Sequence, residues 1–400
     1  MTKVSRLNNV SKETKSSKWL AIVLALQVPL GIYIIPGTTI SFYFFVIIFS
    51  ILVTFAAYNK HLRITTPVVI FTLMLITLNL MSFIVHKNES WYNGSVVINN
   101  TIFLMVPFLI TMTWFENRLS MHTFLGAVTI IALLASGIAV YQRLSFMATG
   151  SFFNNWFIPG LETSREDVAI EAIGARPSAF FTEPSHLAQY LLPVALYHLQ
   201  KRNIWQSIVL VLGILASGST NGLVGLVLIL LLSFFLNGKQ TWRNVLLFVT
   251  LIALFAWLYT SESSFLDAGL EKLENTDDSN IRLLGSTIIF KEFDLTDWLL
   301  GLGHGNRTSF LVSHGLLQGG EYMYANTYFG ILSSFGIIGM IVFIWFVFKL
   351  YLLCTKKFTS SYLLLFLVLC ASVGMLFSGY MIYYLTFIIN SNEITIAQKN

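Results

Sequence analysis

Residues 175–199 read ARPSAFFTEPSHLAQYLLPVALYHL and pass from a polar loop into an apolar run. Apolar runs of about 20 residues, the length that crosses roughly 30 Å of hydrocarbon, recur along the whole chain. Arg176 and Glu183 therefore stand at the boundary of a membrane span. An ionisable side chain near the centre of a span costs about 2.5 to 3.5 kcal/mol on insertion scales, so such residues persist mainly when they are paired, hydrated or in use. The stretch predicts a membrane protein with a polar site at one surface.

The composition of the chain supports the same class of protein. Of its 400 residues, 56% are hydrophobic and 11% are charged, against about a quarter charged in an ordinary soluble domain. The net charge of +5 is explained by the distribution of Lys and Arg between loops, and we expect no nucleic-acid partner. We therefore predict an all-α polytopic transmembrane bundle in which residues 1–400 form a single integral membrane domain.

The apolar runs predict 11 or 12 spans, because residues 361–390 hold either one long helix or two short ones separated near Gly379. The other predicted spans are 19–36, 38–57, 66–85, 95–115, 121–141, 184–199, 203–218, 221–237, 243–261 and 324–349. Lys and Arg concentrate before the first span and in the alternate short loops. By the positive-inside rule, this places an uncleaved N-terminus in the cytoplasm.

Two loops on the opposite, outer side are long, residues 142–183 and 262–323. Loops longer than about 15 residues are usually functional or disordered. Both loops contain apolar residues, among them Trp156 and Trp298, which a fully disordered segment would lack. We expect the two loops to fold as an active-site cap on the extracytoplasmic face.

The first loop supplies charged candidates for a site. Arg176 offers a planar, bidentate guanidinium suited to a phosphate or diphosphate, although an interfacial arginine also snorkels toward headgroups. Glu183 is interpreted as a helix cap, a partner for an arginine or a general base, and the sequence leaves all three open. His186 and Gln189 or Tyr190 follow Glu183 along one helical face, which we expect to look into a cavity rather than lipid.

The second loop contains Arg282 and the turn WLLGLGHGN at residues 298–306. Such a glycine-rich turn can form an anion-binding nest, but a flexible connection explains it equally well. Further candidates for substrate contact follow in this loop and at the start of the next span: His304, His314, Tyr324 and Asn326. Taken singly, a histidine here is more often a surface residue, and the tyrosine suits an interfacial belt. Asn326 needs partners either in the site or in the backbone.

Motifs for metal or nucleotide chemistry are missing from the sequence. It has no CxxC, HExxH or P-loop pattern, and Cys354 and Cys370 have the context of small apolar core residues. We therefore expect no metal site and no cofactor.

The ordered set of the 176–190 stretch, the Arg282 segment, the 298–306 turn and the 326–339 helix resembles the O-antigen ligase and Wzy polymerase superfamily. Its members transfer glycans from undecaprenyl diphosphate without nucleotide sugar or metal. The resemblance implies that Arg176 and Arg282 hold the donor diphosphate beside the carboxylate of Glu183. Ligases typically have a histidine directly before the asparagine, where this chain has Ala325. This departure favours a polymerase of repeat units, unless His304 or His314 substitutes.

The resemblance also implies a place and partners for the protein. The place is the bacterial plasma (inner) membrane. The partners are the undecaprenyl-diphosphate-linked glycan donor and acceptor, the lipid bilayer, and a chain-length regulator and flippase of the same system. A ligase, a flippase or transporter, and a non-catalytic scaffold are the alternatives. A transporter usually carries ionisable residues near the bilayer midplane, and the predicted spans show none clearly there.

Overall fold

The computed structural model describes residues 15–31, 33–34, 66–115, 119–150, 162–163, 176–236, 288–316, 325–354 and 357–389. In these ranges the chain is almost entirely helical, which confirms the predicted all-α polytopic fold. The helices are α1 Lys15–Leu30, α2 Thr66–His86, α3 Gly94–Asn100, α4 Val106–Phe115, α5 Met121–Thr149, α6 Pro184–Lys201, α7 Ile204–Ala216, α8 Thr220–Leu236, α9 Leu295–Leu300, α10 Arg307–Ser313, α11 Thr327–Leu353, α12 Lys357–Ser372 and α13 Gly379–Ile389.

Short irregular elements join some of these helices. A π-helical turn at Thr101–Met105 connects α3 to α4, and a 3-10 turn covers Ile289–Lys291. The strands Tyr33–Ile34 (β1) and Glu162–Thr163 (β2) pair antiparallel. The described strands therefore amount to one two-stranded ribbon beside a helical bundle.

Four helical stretches among the described residues are long and apolar enough to cross a membrane: Thr66–His86, Gly94–Met112, Met121–Thr149 and Thr327–Leu353. They keep large apolar side chains on the outer surface of the bundle; Ile130 and Ile341, for example, are about 60% exposed. In water such a surface would be costly, whereas in hydrocarbon it is the expected one. The protein is therefore a membrane protein.

The clearest differences between the helix boundaries and the predicted spans fall at two places, and the alternative left open for residues 361–390 is resolved. The span predicted at 19–36 ends early, because α1 stops at Leu30 and the chain turns into β1. The span predicted at 121–141 continues to Thr149 and ends at Gly150 in a left-handed conformation, so residues 142–149 of the predicted first loop are helical. Residues 361–390 hold two helices, α12 and α13. The spans predicted at 38–57 and 243–261 lie outside the described residues.

Helix α6 lies at the centre of the bundle, and every residue from Leu187 to His198 is buried. It contacts α5, α7, α8, α12 and α13. Its approach to α8 is close: a Cβ at Gly225 would lie 2.4 Å from a methyl group of Leu192, and one at Gly222 2.7 Å from Cβ of Ala188. Small residues at such positions let membrane helices pack tightly without a hydrophobic driving force.

Pro193 leaves one backbone carbonyl of α6 without a donor in its own helix. Since proline has no N–H, the carbonyl of Gln189, four residues earlier, lacks its helical partner. The hydroxyl of Tyr384 in α13 donates to that carbonyl at 2.8 Å. Within a membrane a freed carbonyl must find a donor inside the protein, and α13 supplies it.

A kink in α11 receives the 298–306 turn. Gly336 has φ 63° and ψ −165° within the helix, which interrupts the regular hydrogen bonds of the preceding turn. The carbonyls of Ser333 and Ser334 instead accept from the backbone N–H groups of Leu302 and Gly303, at 2.9 and 3.0 Å. The turn predicted to be either a nest or a flexible connection is thus hydrogen-bonded into a membrane helix.

Candidate functional site

Five polar connections lie at one end of the helical bundle. They are residues 87–93, 176–183, 217–219, 301–306 and 373–378, and each joins or precedes helices that pack against one another. The short connection at residues 202–203 and the end of α11 lie at the opposite end of their helices. The segments that carry Arg176, Glu183 and His304 therefore lie at the same end of the described helices.

Arg176 begins a tight turn that is anchored to two neighbouring elements. The backbone N–H of Ala179 donates to Oε1 of Gln142 on α5 at 2.9 Å, and the N–H of Phe181 closes the turn onto the carbonyl of Ser178 at 2.8 Å. Arg176 is partly buried, and its Cγ and Cδ atoms lie 3.5 Å from the position that a Cβ on Gly218 would take. Its side chain thus crosses the turn between α7 and α8.

Glu183 is the N-cap residue of α6, but its side chain makes no capping hydrogen bond. The backbone there is extended (φ −138°, ψ 153°), and Pro184 occupies the first helical position, where no N–H is needed. Oε2 of Glu183 accepts from the hydroxyl of Ser185 at 2.9 Å. Of the three predicted roles, side-chain capping is the one that this geometry does not support.

The helical face that continues from Glu183 packs against protein instead of lipid. His186 pairs with the hydroxyl of Thr182 through Nδ1, and its ring centroid lies 5.4 Å from that of Tyr380. Tyr190 is fully buried, stacks on Tyr383 at 4.8 Å and donates to the carbonyl of Ala25 at 2.9 Å. Tyr190 therefore has the surroundings of a core residue whose hydroxyl is already used.

His304 is held by both of its peptide groups. Its N–H donates to Oδ1 of Asn79 on α2 at 2.7 Å, and its carbonyl accepts from Nδ2 of Asn100 on α3 at 2.9 Å. The flanking Gly303 and Gly305 have φ of 80° and 101°, in the left-handed region that glycine tolerates. A Cβ at Gly305 would lie 2.3 Å from Nδ2 of Asn100, so only glycine permits this approach.

The imidazole of His304 is fixed between two aromatic rings. Phe335 stacks on it with centroids 5.8 Å apart, and Phe377 meets it edge-on at 5.9 Å. Burial, followed by the positive charge of Arg307, lowers the pKa of His304 to about 4. The ring is therefore neutral near pH 7, and its Nδ1 is buried without a hydrogen-bond partner among the described residues.

The other predicted contact residues have local structural partners or lie outside the described residues. Asn326 caps α11 by accepting from the N–H of Phe329 at 2.9 Å. Of the two predicted kinds of partner for its side chain, the structure therefore shows a backbone group. His314 is exposed, ends α10 and bonds through Nδ1 to the carbonyl of Phe310 at 2.8 Å. Arg282 and Tyr324 lie outside the described residues.

A buried pair joins α9 to the end of α2. Nε2 of His86 lies 3.6 Å from Oδ1 of Asp297, and both side chains are more than 90% buried. Asp297 also completes a capping box with Asp294 at the start of α9. Burial raises the pKa of Asp297, against a lowering by its bond to the backbone of Asp294. The pair and the cap hold the second loop over α2.

The turn at residues 373–378 and the start of α13 lie between the 301–306 turn and the start of α6. Phe377 contacts His304, and Tyr380, three residues later, contacts His186 and donates to its carbonyl at 3.0 Å. The hydroxyl of Thr327 fixes the turn by donating to the carbonyl of Val373. Sequence reasoning missed this element; the Gly379 break in the last apolar run was its only signal.

Sequence reasoning also missed polar residues placed inside helices. Asn79 and Asn100 fall within predicted spans, while Gln142 and Arg143 were assigned to a loop although both are helical and buried at 1% and 3% exposure. A polar side chain inside an apolar run is itself a signal, because it needs a partner there. Applied to Asn79 and Asn100, that rule points to the His304 turn.

The fold and these loops together define a polytopic membrane protein with an organised polar surface at one end of its bundle. A model of the WcaD colanic acid polymerase family matches residues 19–391. The chain therefore belongs to the WcaD colanic acid polymerase family, and it is a glycosyltransferase-type enzyme that polymerises polysaccharide repeat units. The match confirms the predicted superfamily and agrees with a polymerase rather than a ligase. No curated protein matches the chain.

Proposed function

We propose that the enzyme polymerises undecaprenyl-diphosphate-linked oligosaccharide repeat units into an O-antigen, capsular or exopolysaccharide on the outer face of the bacterial plasma membrane. The observation that carries the proposal is that the 301–306 turn and the start of α6, which follows Glu183, both contact the short segment 377–380 in a chain of the WcaD family. A polymerase of lipid-linked repeats must hold a charged diphosphate and a sugar hydroxyl at the same membrane surface. This surface offers both charged and uncharged polar groups.

The proposed reaction is an inverting glycosyl transfer without a metal ion. A hydroxyl of the acceptor sugar attacks the anomeric carbon of the donor, a new C–O bond forms, and the bond from that carbon to the diphosphate oxygen breaks. Undecaprenyl diphosphate leaves with the bonding electron pair, and the hydroxyl proton passes to a base. Placement of the two sugars and stabilisation of the departing charge supply most of the catalysis.

Arg176 and Glu183 suit the two halves of this reaction. The turn that carries Arg176 is hydrogen-bonded to Gln142, and the Arg176 side chain packs against Gly218. The base of the side chain is therefore held in place, which suits an arginine that binds a diphosphate. The carboxylate of Glu183 makes no capping hydrogen bond and, among the described residues, accepts from the hydroxyl of Ser185. We assign Arg176, with Arg282, to the diphosphate and Glu183 to the proton or to orienting an arginine.

The outer face is proposed from charge and helix direction together. Lys201 and Arg202 lie at the end of α6 opposite to Glu183, next to the short connection into α7. Positive residues in short connections favour the cytoplasmic side, which supports a site on the outer side and an N-terminus inside. A flippase would then deliver substrate to this face, and a chain-length regulator would act on the product.

The test is polymerisation by the purified protein in proteoliposomes that contain lipid-linked repeat units. Gel analysis should show a ladder of lipid-linked polymer for the unchanged protein and only single repeats for Arg176→Ala. Arg176→Lys should fall between them, because lysine keeps the charge and loses the bidentate geometry. Arg202→Lys, at the opposite end of the bundle, is the matched control and should retain the ladder.

The rival functions predict different products in the same experiment. A ligase would transfer glycan to a separate acceptor without lengthening it, and a flippase would move substrate across the bilayer without a new bond. A full ladder from Arg176→Ala protein at normal rate would refute the assignment of Arg176. The absence of any ladder from unchanged, folded protein would refute the polymerase proposal itself.

A further inference from the structure

We propose that the side chain of His304 hydrogen-bonds an uncharged hydroxyl of the glycan substrate, and that Asn79 and Asn100 are positioning residues that fix it for this contact. The inference rests on the proposed polymerase function and adds a substrate contact and its support to the same surface. Asn79 and Asn100 belong to membrane helices α2 and α3, far in sequence from His304.

The side chains of Asn79 and Asn100 hydrogen-bond the two peptide groups that flank the Cα of His304. Turns normally satisfy their backbone groups locally or with water. Here two amide side chains from two helices are spent on the N–H and the carbonyl of His304. Asn79 is completely buried, and its amide nitrogen also bonds to Val97 and Thr101, so its own position is fixed.

This anchoring leaves the imidazole of His304 without a hydrogen bond among the described residues. All hydrogen bonds that the described residues make to His304 involve its backbone, and its Nδ1 has no partner among them. The residue as a whole is partly exposed while Nδ1 is shielded by protein, so substrate binding must open access to that nitrogen. An unsatisfied buried ring nitrogen costs about 1–3 kcal/mol, which a bound hydroxyl would offset.

The surroundings of the His304 imidazole indicate the chemistry of the ligand that it would bind. Arg307 lies close enough to lower the pKa of the imidazole, but the imidazole itself is neutral and, between the rings of Phe335 and Phe377, offers a single uncharged hydrogen bond. That suits the hydroxyl and C–H surface of a sugar better than a phosphate, which favours charged donors. Phe377 is also three residues before Tyr380, which contacts His186 near Glu183, so the glycan would lie beside the proposed diphosphate site.

The experiment measures kcat/KM for lipid-linked repeats in proteoliposomes. His304→Ala should lower it by about 3- to 10-fold, the equivalent of one hydrogen bond to an uncharged group. Asn100→Ala, whose side chain serves the carbonyl of His304, should cause a similar loss. Because it acts through His304, Asn100→Ala should cause less than about a 2-fold further loss in a protein that already carries His304→Ala.

The matched control is Asn93→Ala, at the start of the same helix α3, where the side chain accepts from the N–H of Val96 and not from His304. It should change kcat/KM by less than about 2-fold, and its small effect should be additive with that of His304→Ala. Thermal unfolding in detergent confirms that each variant is folded.

Two results would overturn the inference while leaving the polymerase proposal intact. One is unchanged kcat/KM for His304→Ala in protein that forms polymer. The other is full additivity between His304→Ala and Asn100→Ala, which would show that the asparagine supports the fold independently of the imidazole. Absence of polymer from the unchanged protein would instead contradict the proposed function.

Discussion

Replacing Tyr384 with phenylalanine should destabilise the bundle through one backbone carbonyl. Tyr384→Phe removes a hydroxyl that donates to the carbonyl of Gln189 at 2.8 Å, where Pro193 cannot supply the helical N–H. Both residues are fully buried, so water cannot replace the donor. An unsatisfied buried carbonyl costs about 1–3 kcal/mol, and hydrogen bonds within membrane bundles have measured up to about 1.7 kcal/mol. We expect Tyr384→Phe to lower the free energy of unfolding by about 1–2 kcal/mol.

Tyr383→Phe is the matched comparison from the neighbouring position. Its hydroxyl donates to the carbonyl of Tyr190 at 3.0 Å, but residue 194 is a valine that retains its N–H and can bond that carbonyl within α6. We therefore expect the loss for Tyr383→Phe to be about half of that for Tyr384→Phe or less. The two changes remove the same atom from adjacent residues of α13, so lost packing is matched.

Reversible unfolding in mixed detergent micelles, followed by circular dichroism, measures these free energies. A third protein, Pro193→Ala, restores the missing N–H, and in that background Tyr384→Phe should become markedly less costly. The reasoning would be refuted if Tyr383→Phe cost as much as Tyr384→Phe, or if Pro193→Ala left the cost of Tyr384→Phe unchanged.

Three further changes test other parts of the structure. Gly336→Ala should prevent stable folding, because the backbone there has a φ of 63° and a Cβ would lie 2.3 Å from the carbonyl oxygen of Leu299. Gly330→Ala, where a Cβ would meet open space, should be tolerated. Thermal unfolding of the two variants makes the comparison. The pKa of Asp297 is raised in the folded protein, so its contribution to stability is present below its ordinary pKa of 3.8 and is lost as the pH rises through the raised pKa. In Asp297→Asn, the free energy of unfolding should change less with pH over this range. His304 has a pKa lowered to about 4, so stability should fall as pH drops from 6.5 toward 4, and this slope should be missing in His304→Gln.

The bundle itself was predictable because its signals are local. A run of about 20 apolar residues determines a membrane helix with little help from the rest of the chain, and α2 and α11 appear close to their predicted places. The extension of α5 to Thr149 was missed because Gln142 and Arg143 ended the apolar run in the sequence. Their side chains are buried against other elements, and this information is not local.

The candidate site was predictable by residue type but not by arrangement. The sequence identified His304 and His186 without any indication that neighbouring residues contact them: Phe377 in the turn before α13 contacts His304, and Tyr380 in the first turn of α13 contacts His186. It also gave Asn326 and His314 the same standing as His304. The hydrogen bonds separate them: Asn326 and His314 serve their own helices, whereas His304 is held from outside its segment.

The last helix, α13, shows how the turn at residues 373–378 is supported within the bundle. With 11 residues, α13 is about 16 Å long at 1.5 Å per residue, too short to cross roughly 30 Å of hydrocarbon. It is nevertheless buried from Met381 to Ile388, so it acts as a core element that supports α6 through three tyrosine hydroxyls. Irregular backbone at membrane depth is tolerated only where protein surrounds it or a polar cavity meets it. The turn before α13 is surrounded by protein in this way, because Phe377 contacts His304 and Tyr380, the second residue of α13, contacts His186.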